Sequence, residues 1–161
     1  LRMVSELTPP PLRAVFMMQK EVAERIAAEP PHMNQLAASV QFWAEPKIVR
    51  LVTREAFSPP PKVESAIISL ETRKGSRKEG VDPNAYYAAV HALFRQPRKT
   101  IMNNIAEATD LPKQEITAML QQQGIAPAGR SHTLSVEQII ALALRFPFPH
   151  PRKPREEGRG G

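Results

Sequence analysis

Ala14-Val15-Phe16-Met17-Met18-Gln19-Lys20-Glu21-Val22-Ala23-Glu24-Arg25 decides the fold class. Its first part, Ala14 to Met18, is a continuous apolar run. Such a run suits a strand buried on both faces, as in an α/β sheet. From Lys20 to Ala28 the period changes. Val22 and Ile26 stand four apart with Ala23 and Ala27 beside them, which predicts a helix, and Pro30-Pro31 stops it. A strand running straight into a helix is the repeating unit of an α/β domain.

Working outward, Thr8-Pro9-Pro10-Pro11 is an extended lead-in. Asn34 is placed to cap a second helix in which Leu36, Val40 and Trp43 share a face. Lys47 to Thr53 and Ser65 to Leu70 are β-rich, and the connection between them predicts neighbouring strands, with an antiparallel pairing open. Residues 73–81, Arg-Lys-Gly-Ser-Arg-Lys-Glu-Gly-Val, are polar and contain glycine, so they are expected to form a linker. Asp82 then offers an N-cap with Pro83 at the first helical position. Tyr86, Tyr87, Val90, Leu93 and Phe94 form the stripe of that helix. Ile101 and Ile105 mark a second helix. A third starts near Pro112, holds Ile116 and Leu120, and stops at Gly124. Ser135-Val136-Glu137-Gln138 matches a capping box opening a last helix through Ala143. The expected layout is sheet and helices over residues 1–72, a linker over 73–81, a small all-α domain over 82–146, and a flexible basic tail over 147–161.

Composition narrows the functions. The chain has 161 residues, of which 42% are hydrophobic, enough for one medium or two small domains. No apolar run is long enough to span a bilayer. The N-terminus lacks the basic-then-apolar order of a signal peptide. Cysteine is absent, which excludes disulfides and thiolate metal sites and fits a reducing cytoplasm. His32, His91, His132 and His150 have no ligand-like spacing. The net charge of +6 and pI of about 10.0 fit a nucleic-acid binder. Basic residues outnumber acidic ones by 12 to 9 over residues 1–81, 6 to 5 over 82–147 and 4 to 2 over 148–161. An RNA site must therefore rest on local clusters. The chain starts at Leu1, which fits a processed or trimmed product.

Three segments together resemble the small-subunit ribosomal RNA adenine dimethyltransferase family. The first is the opening stretch, similar to that family's late strand-to-helix segment. The second is Phe57-Ser58-Pro59-Pro60-Pro61-Lys62-Val63-Glu64-Ser65, similar to its F-x-P-x-P-x-V-x-S loop. The third is Leu93-Phe94-Arg95-Gln96-Pro97-Arg98-Lys99-Thr100-Ile101-Met102-Asn103-Asn104-Ile105, similar to its L-F-x-Q-R-R-K-T-L-x-N-N-L signature. The run from Gly124 to Ala141, with Arg130 and Leu134-Ser135, fits the end of the same domain. Pro97 stands where one arginine of the usual basic pair belongs, Met102 where a second basic residue is common, and His132 where an acidic residue is more usual.

The resemblance implies the C-terminal part of a Rossmann-like methyltransferase sheet followed by a small helical RNA-binding domain. It implies transfer of methyl groups from S-adenosylmethionine to N6 of two adjacent adenosines in small-subunit ribosomal RNA, with the immature small ribosomal subunit as partner. N6 is a poor nucleophile because its lone pair is delocalised into the ring, so the base must be extruded and held flat. Phe57 is the implied stacking face, on a loop stiffened by Pro59 and Pro61, and Lys62 the implied phosphate contact. Core packing of Phe57 is the plainer alternative. Arg95, Arg98 and Lys99 form the implied RNA-binding cluster, with Asn103, Asn104 and Arg130. A solvated turn with helix-pinning asparagines is the alternative there. Gln19, Lys20 and Glu21 sit where α/β enzymes place functional groups, or serve as caps and ion pairs. Arg73, Lys74, Arg77 and Lys78 read as a solvated loop. Arg152, Lys153 and Arg155 read as a tail that touches RNA non-specifically or nothing. Tyr86, Tyr87, Trp43 and the methionines read as core.

The family's Gly-rich loop, its ribose-binding acidic residue and its N-L-P-[YF] motif are not in these residues. The seven glycines form no G-x-G loop at the end of a strand. The chain is therefore expected to bind the methyl donor poorly and to be inactive alone. Without the earlier strands, the Ala14–Met18 strand is expected to expose an edge that invites self-association. A catalytically silent RNA-binding module and a plain protein-interaction domain are the competing readings.

Overall fold

Residues 1, 4, 7–9, 11–73 and 80–149 are described by a computed structural model of the chain. Lys74, Arg77 and Lys78, within the expected linker, and residues 150–161 of the expected tail lie outside them. The start of that tail is corrected: Phe148 is buried and packs into the helical core, its ring beside Phe146.

Three strands form one antiparallel sheet in the order β1-β3-β2: β1 (Arg13–Gln19), β2 (Ala44–Val52) and β3 (Ser65–Thr72). Both edge strands run parallel to each other, so their carboxyl ends share one rim. Pro46 lies in β2, where an edge position tolerates a residue with no N–H to donate. A register shift between Ile48 and Arg50 adds a bulge.

One sheet face is covered by α1 (Lys20–Ile26) and α2 (Gln35–Gln41). Ala66, Ile68 and Leu70 of β3 pack there on Ala23, Ile26, Val40 and Trp43. The expectation that the Ala14–Met18 strand is buried on both faces is corrected. Its burial alternates, with Val15 59% and Met17 58% exposed. Among the described residues, helices pack on the other face only. Met17 is accordingly not a core methionine, whereas Met33 is.

The remaining elements are helical: α3 (Pro83–Phe94), α4 (Ile101–Thr109), α5 (Lys113–Gln122) and α6 (Val136–Arg145). The local start and stop signals do their expected jobs. Asn34 Oδ1 accepts from the amides of Leu36 and Ala37 at 3.0 Å each, Asp82 caps α3, and Ser135 and Gln138 form the reciprocal capping box of α6. Gly124 follows α5 at φ +66°, a conformation that favours glycine.

α2 contributes to both apolar cores. Its Val40 packs toward the sheet, while Ala37 and Ala38 pack with Tyr86, Leu93 and the other helical residues. Tyr86 is fully buried. Its ring stacks on Phe42 with centroids 4.0 Å apart, and its hydroxyl donates to the Ala38 carbonyl at 2.9 Å. Burial pushes its phenol pKa far up, so it stays a neutral donor.

Candidate functional site

The first candidate site is the connection between β2 and β3. It leaves from the carboxyl end of β2, the rim on which α/β proteins place ligands. A single turn of 3-10 helix, Arg54–Ala56, opens it. Glu55 accepts hydrogen bonds from its own backbone amide and the Thr53 side chain, which hold its carboxyl below the usual range. Phe57 ends the turn, its amide donating to the Arg54 carbonyl at 3.2 Å. Phe57 is half-buried and belongs to neither core. Pro59 is exposed, Pro61 half-buried and Lys62 exposed. The far end of the loop is fastened to the start of α1. Lys20 donates from its backbone to the Glu64 carbonyl and from Nζ to Glu64 Oε2, both at 3.0 Å. That hydrogen bond and the Glu64 charge raise the Lys20 pKa. The first two segments singled out in the sequence thus meet at one rim, and Lys20 is an ion-pair residue.

The second candidate site is the turn between α3 and α4. Pro97 has no N–H, so the Leu93 carbonyl lacks the partner that a continuing helix would supply. Asn104 Nδ2 supplies one at 2.9 Å and reaches the Gln96 carbonyl at 3.3 Å. Ser131 Oγ donates to the same Leu93 carbonyl at 2.6 Å. Asn104 and Ser131 are both buried. Both amide hydrogens of Asn104 are thereby committed to the protein, the helix-pinning alternative, while Asn103 is half-buried beside it.

Arg95, Arg98 and Lys99 are exposed on this turn. Thr100 caps α4, its hydroxyl accepting from the Asn103 amide at 3.2 Å. Thr100 also bridges Arg130, and the Ile101 amide donates to the Gly129 carbonyl at 2.8 Å. These backbone contacts carry Arg130, remote in sequence, to the turn. Lys99 Nζ pairs with Glu107 Oε2 at 2.6 Å, and Gln96 Nε2 donates to Oε1 at 2.8 Å. The Lys99 hydrogen bond, with the Lys99 and Arg95 charges behind it, holds the Glu107 carboxyl below its usual range. Sequence reasoning missed Glu107, Thr100 and Ser131. Only Thr100, a capping residue before an apolar helix, carried a local signal. No group of three or more His, Asp or Glu side chains able to hold a metal occurs among the described residues. No helix there is long and apolar enough to cross a membrane.

The family model for ribosomal RNA adenine dimethylase matches residues 1–146. The chain belongs to this family. It is 37% identical over 146 residues to the ribosomal RNA small subunit methyltransferase A of Dehalococcoides mccartyi strain 195, covering 91% of this chain and 50% of that protein. The protein of the same name from Lactococcus lactis is 39% identical over 132 residues, covering 80% and 45%. The chain spans about half the length of the curated relatives it matches. A crystal structure of a Plasmodium falciparum dimethyladenosine transferase superposes with a TM-score of 0.73 at 23% identity, over 89% of this chain and 61% of that one. The 23S rRNA methyltransferase ErmE superposes with a TM-score of 0.64 at 25% identity, over 85% and 55%. The mixed α/β fold is that of ribosomal RNA methyltransferases.

Proposed function

We propose that the chain is the C-terminal portion of an S-adenosylmethionine-dependent dimethyltransferase that modifies two adjacent adenosines of small-subunit ribosomal RNA in the cytoplasm, during subunit maturation. Residues 1–72 close the catalytic sheet, and the helical part from Asp82, with Phe148 in its core, holds RNA. The observation that carries this reading is the placement of Phe57. An aromatic ring outside both cores, on a proline-stiffened loop fastened by Lys20 and Glu64, is available to stack on an extruded adenine. Pro59 and Pro61 limit the loop's freedom, so less entropy is lost when it clamps the base. Lys62 adds charge for a phosphate. The turn with Arg95, Arg98, Lys99 and Arg130 holds the RNA by its backbone, with Asn103 at its edge.

The residues present do not fit the methyl donor. The described glycines, Gly80, Gly124 and Gly129, all lie beyond the sheet, and none follows a strand. β1 passes directly into α1 at Lys20 and β2 is followed by Thr53-Arg54, so neither carboxyl end carries the glycine that allows a close backbone approach to a cofactor. The 161 residues alone are therefore expected not to transfer methyl groups.

A second reading, a non-catalytic RNA-binding module, is favoured by the position of the exposed basic turn between two helices, outside the sheet. Mixing the chain with the N-terminal half of the Dehalococcoides relative separates the two. Methylation of an adenine-containing RNA supports the enzyme reading, and RNA binding without methylation supports the module. Among the described residues β1 pairs with β3 alone, and its Val15 and Met17 are exposed, which supports self-association of the isolated chain. A monodisperse monomer in light scattering contradicts that part.

A further inference from the structure

A cleft of about 190 Å³ opens between α3 and α4, on the side of the basic turn where Glu107 meets Lys99. Its apolar wall is made of alanines: Ala88 and Ala92, one helical turn apart on α3, and Ala108 on α4. Small side chains on facing helices leave a space that larger ones would fill. His91 lines it from α3, Arg95 and Gln96 from the turn, and Glu107 from α4. Pro149 also lines it, carried there by Phe148, which packs into the helical core.

The volume is well under that of a drug-sized ligand site and suits one small planar group. The chemistry of the lining selects among such groups. Alanine and proline surfaces accept an apolar ring face, and the Arg95 guanidinium can stack on it. Glu107 is acceptor-only while ionised, and its hydrogen bonds and neighbouring cations keep it ionised. Each Glu107 oxygen takes one hydrogen bond within the protein and has a second lone pair to offer. A ring edge with two adjacent N–H donors therefore fits the carboxylate. The exposed Arg98 on the adjoining turn suits a ring that carries a phosphate through its ribose, while Lys99 stays paired with Glu107.

We propose that the α3–α4 cleft receives one unpaired guanine of the bound RNA, with its N1–H and N2–H groups on Glu107 and its backbone phosphate toward Arg98. Among the four bases guanine alone presents two adjacent donors on its pairing edge. This inference rests on the RNA-binding reading above and adds base selectivity to it. The helical part then reads a base identity as well as backbone charge, and it anchors the RNA at a nucleotide other than the modified adenosines.

The test uses the 161-residue chain and fluorescently labelled oligouridylates carrying one central guanosine, inosine or adenosine. Affinity is expected to fall in the order guanosine, inosine, adenosine, with about a tenfold span between the first and last. Inosine keeps N1–H and lacks the amino group, so it reports the second donor. Glu107→Gln is expected to bring the guanosine-to-adenosine ratio near one, and Ala92→Leu to do the same by filling the space. Glu107 is exposed, so its variant remains informative if Ala92→Leu fails to fold. Equal affinity for the three probes, with salt-sensitive binding retained, overturns the guanine site and leaves the RNA-binding reading standing. A guanosine preference that survives Glu107→Gln also overturns it. Failure to bind any of the three overturns both.

Discussion

Asn104→Ala and Ser131→Ala test whether the Leu93 carbonyl is the structural hinge of the basic turn. Pro97 denies that carbonyl its helical partner, and Asn104 and Ser131 replace it from 11 and 38 residues away. Asn104→Ala removes two hydrogen bonds, each worth about 1 kcal/mol net, for a total of about 2 kcal/mol. Near the melting temperature a chain of this size shifts by about 2–4 °C per kcal/mol, so a fall of about 4–8 °C is expected. Ser131→Ala removes one bond and costs about 1 kcal/mol. In either single variant Leu93 keeps one partner. In the double variant a buried carbonyl has none, which adds about 1–3 kcal/mol beyond the sum. Thermal and urea unfolding of the four proteins measures this coupling. Additivity within about 0.5 kcal/mol refutes the shared-acceptor argument. An Asn104→Ala chain with unchanged stability and weakened RNA binding would return Asn104 to the RNA contacts implied by the family signature.

Three further outcomes follow from the same geometry. Arg98→Ala is expected to weaken binding to all RNA sequences alike and to reduce the slope of log affinity against log salt by about 1, read from anisotropy titrations at several ionic strengths. The Glu107 carboxyl has its pKa lowered by Lys99, so its stabilising effect is complete above the ordinary glutamate value of about 4.3 and disappears as pH falls through the lower folded value. Melting temperatures of the chain and of Glu107→Gln should therefore converge on acidification, and a constant gap from pH 7 to 3 would contradict the pairing. Ser135→Ala removes one arm of the α6 capping box and is expected to cost about 1 kcal/mol in urea unfolding, with Ser135→Asn closer to the parent.

What could be read in advance was local. Asn34, Asp82, Ser135 and Gly124 act on backbone groups within three residues or through their own φ, so their roles are written in neighbouring letters. The one-sided burial of the Ala14–Met18 strand was not legible. A continuous apolar run is compatible with one covered face or two, and the packing partners decide. The connection of the candidate sites was hidden for the same reason. Lys20 finds Glu64 across 44 residues, and Ser131 finds Leu93 across 38. Arg130 reaches the basic turn only because Thr100 bridges it. The Pro97 that breaks the family's basic pair is visible in the sequence. The carbonyl it leaves unserved, and the two side chains that serve it, emerge only once the helices are packed.

The role of α2 shows the same limit at a larger scale. Its start and its apolar Leu36 and Val40 were readable, but the helix stops at Gln41, so Trp43 reaches the sheet-side core from the turn beyond it and not from the helix face. That Ala37 and Ala38 on the other side pack into the helical core, with Tyr86 bonded to the Ala38 carbonyl, depends on contacts 48 residues apart.

The most direct test of the central claim is a methyl-transfer assay with tritiated S-adenosylmethionine and small-subunit RNA from a strain lacking the dimethylation. The chain would be assayed alone, with the N-terminal half of the Dehalococcoides relative, and as that mixture carrying Phe57→Ala. No incorporation is expected from the chain alone, N6,N6-dimethyladenosine from the mixture, and about a tenfold or greater loss with Phe57→Ala, the cost of one lost stacking contact. Incorporation by the chain alone, or a mixture indifferent to Phe57, would contradict that claim.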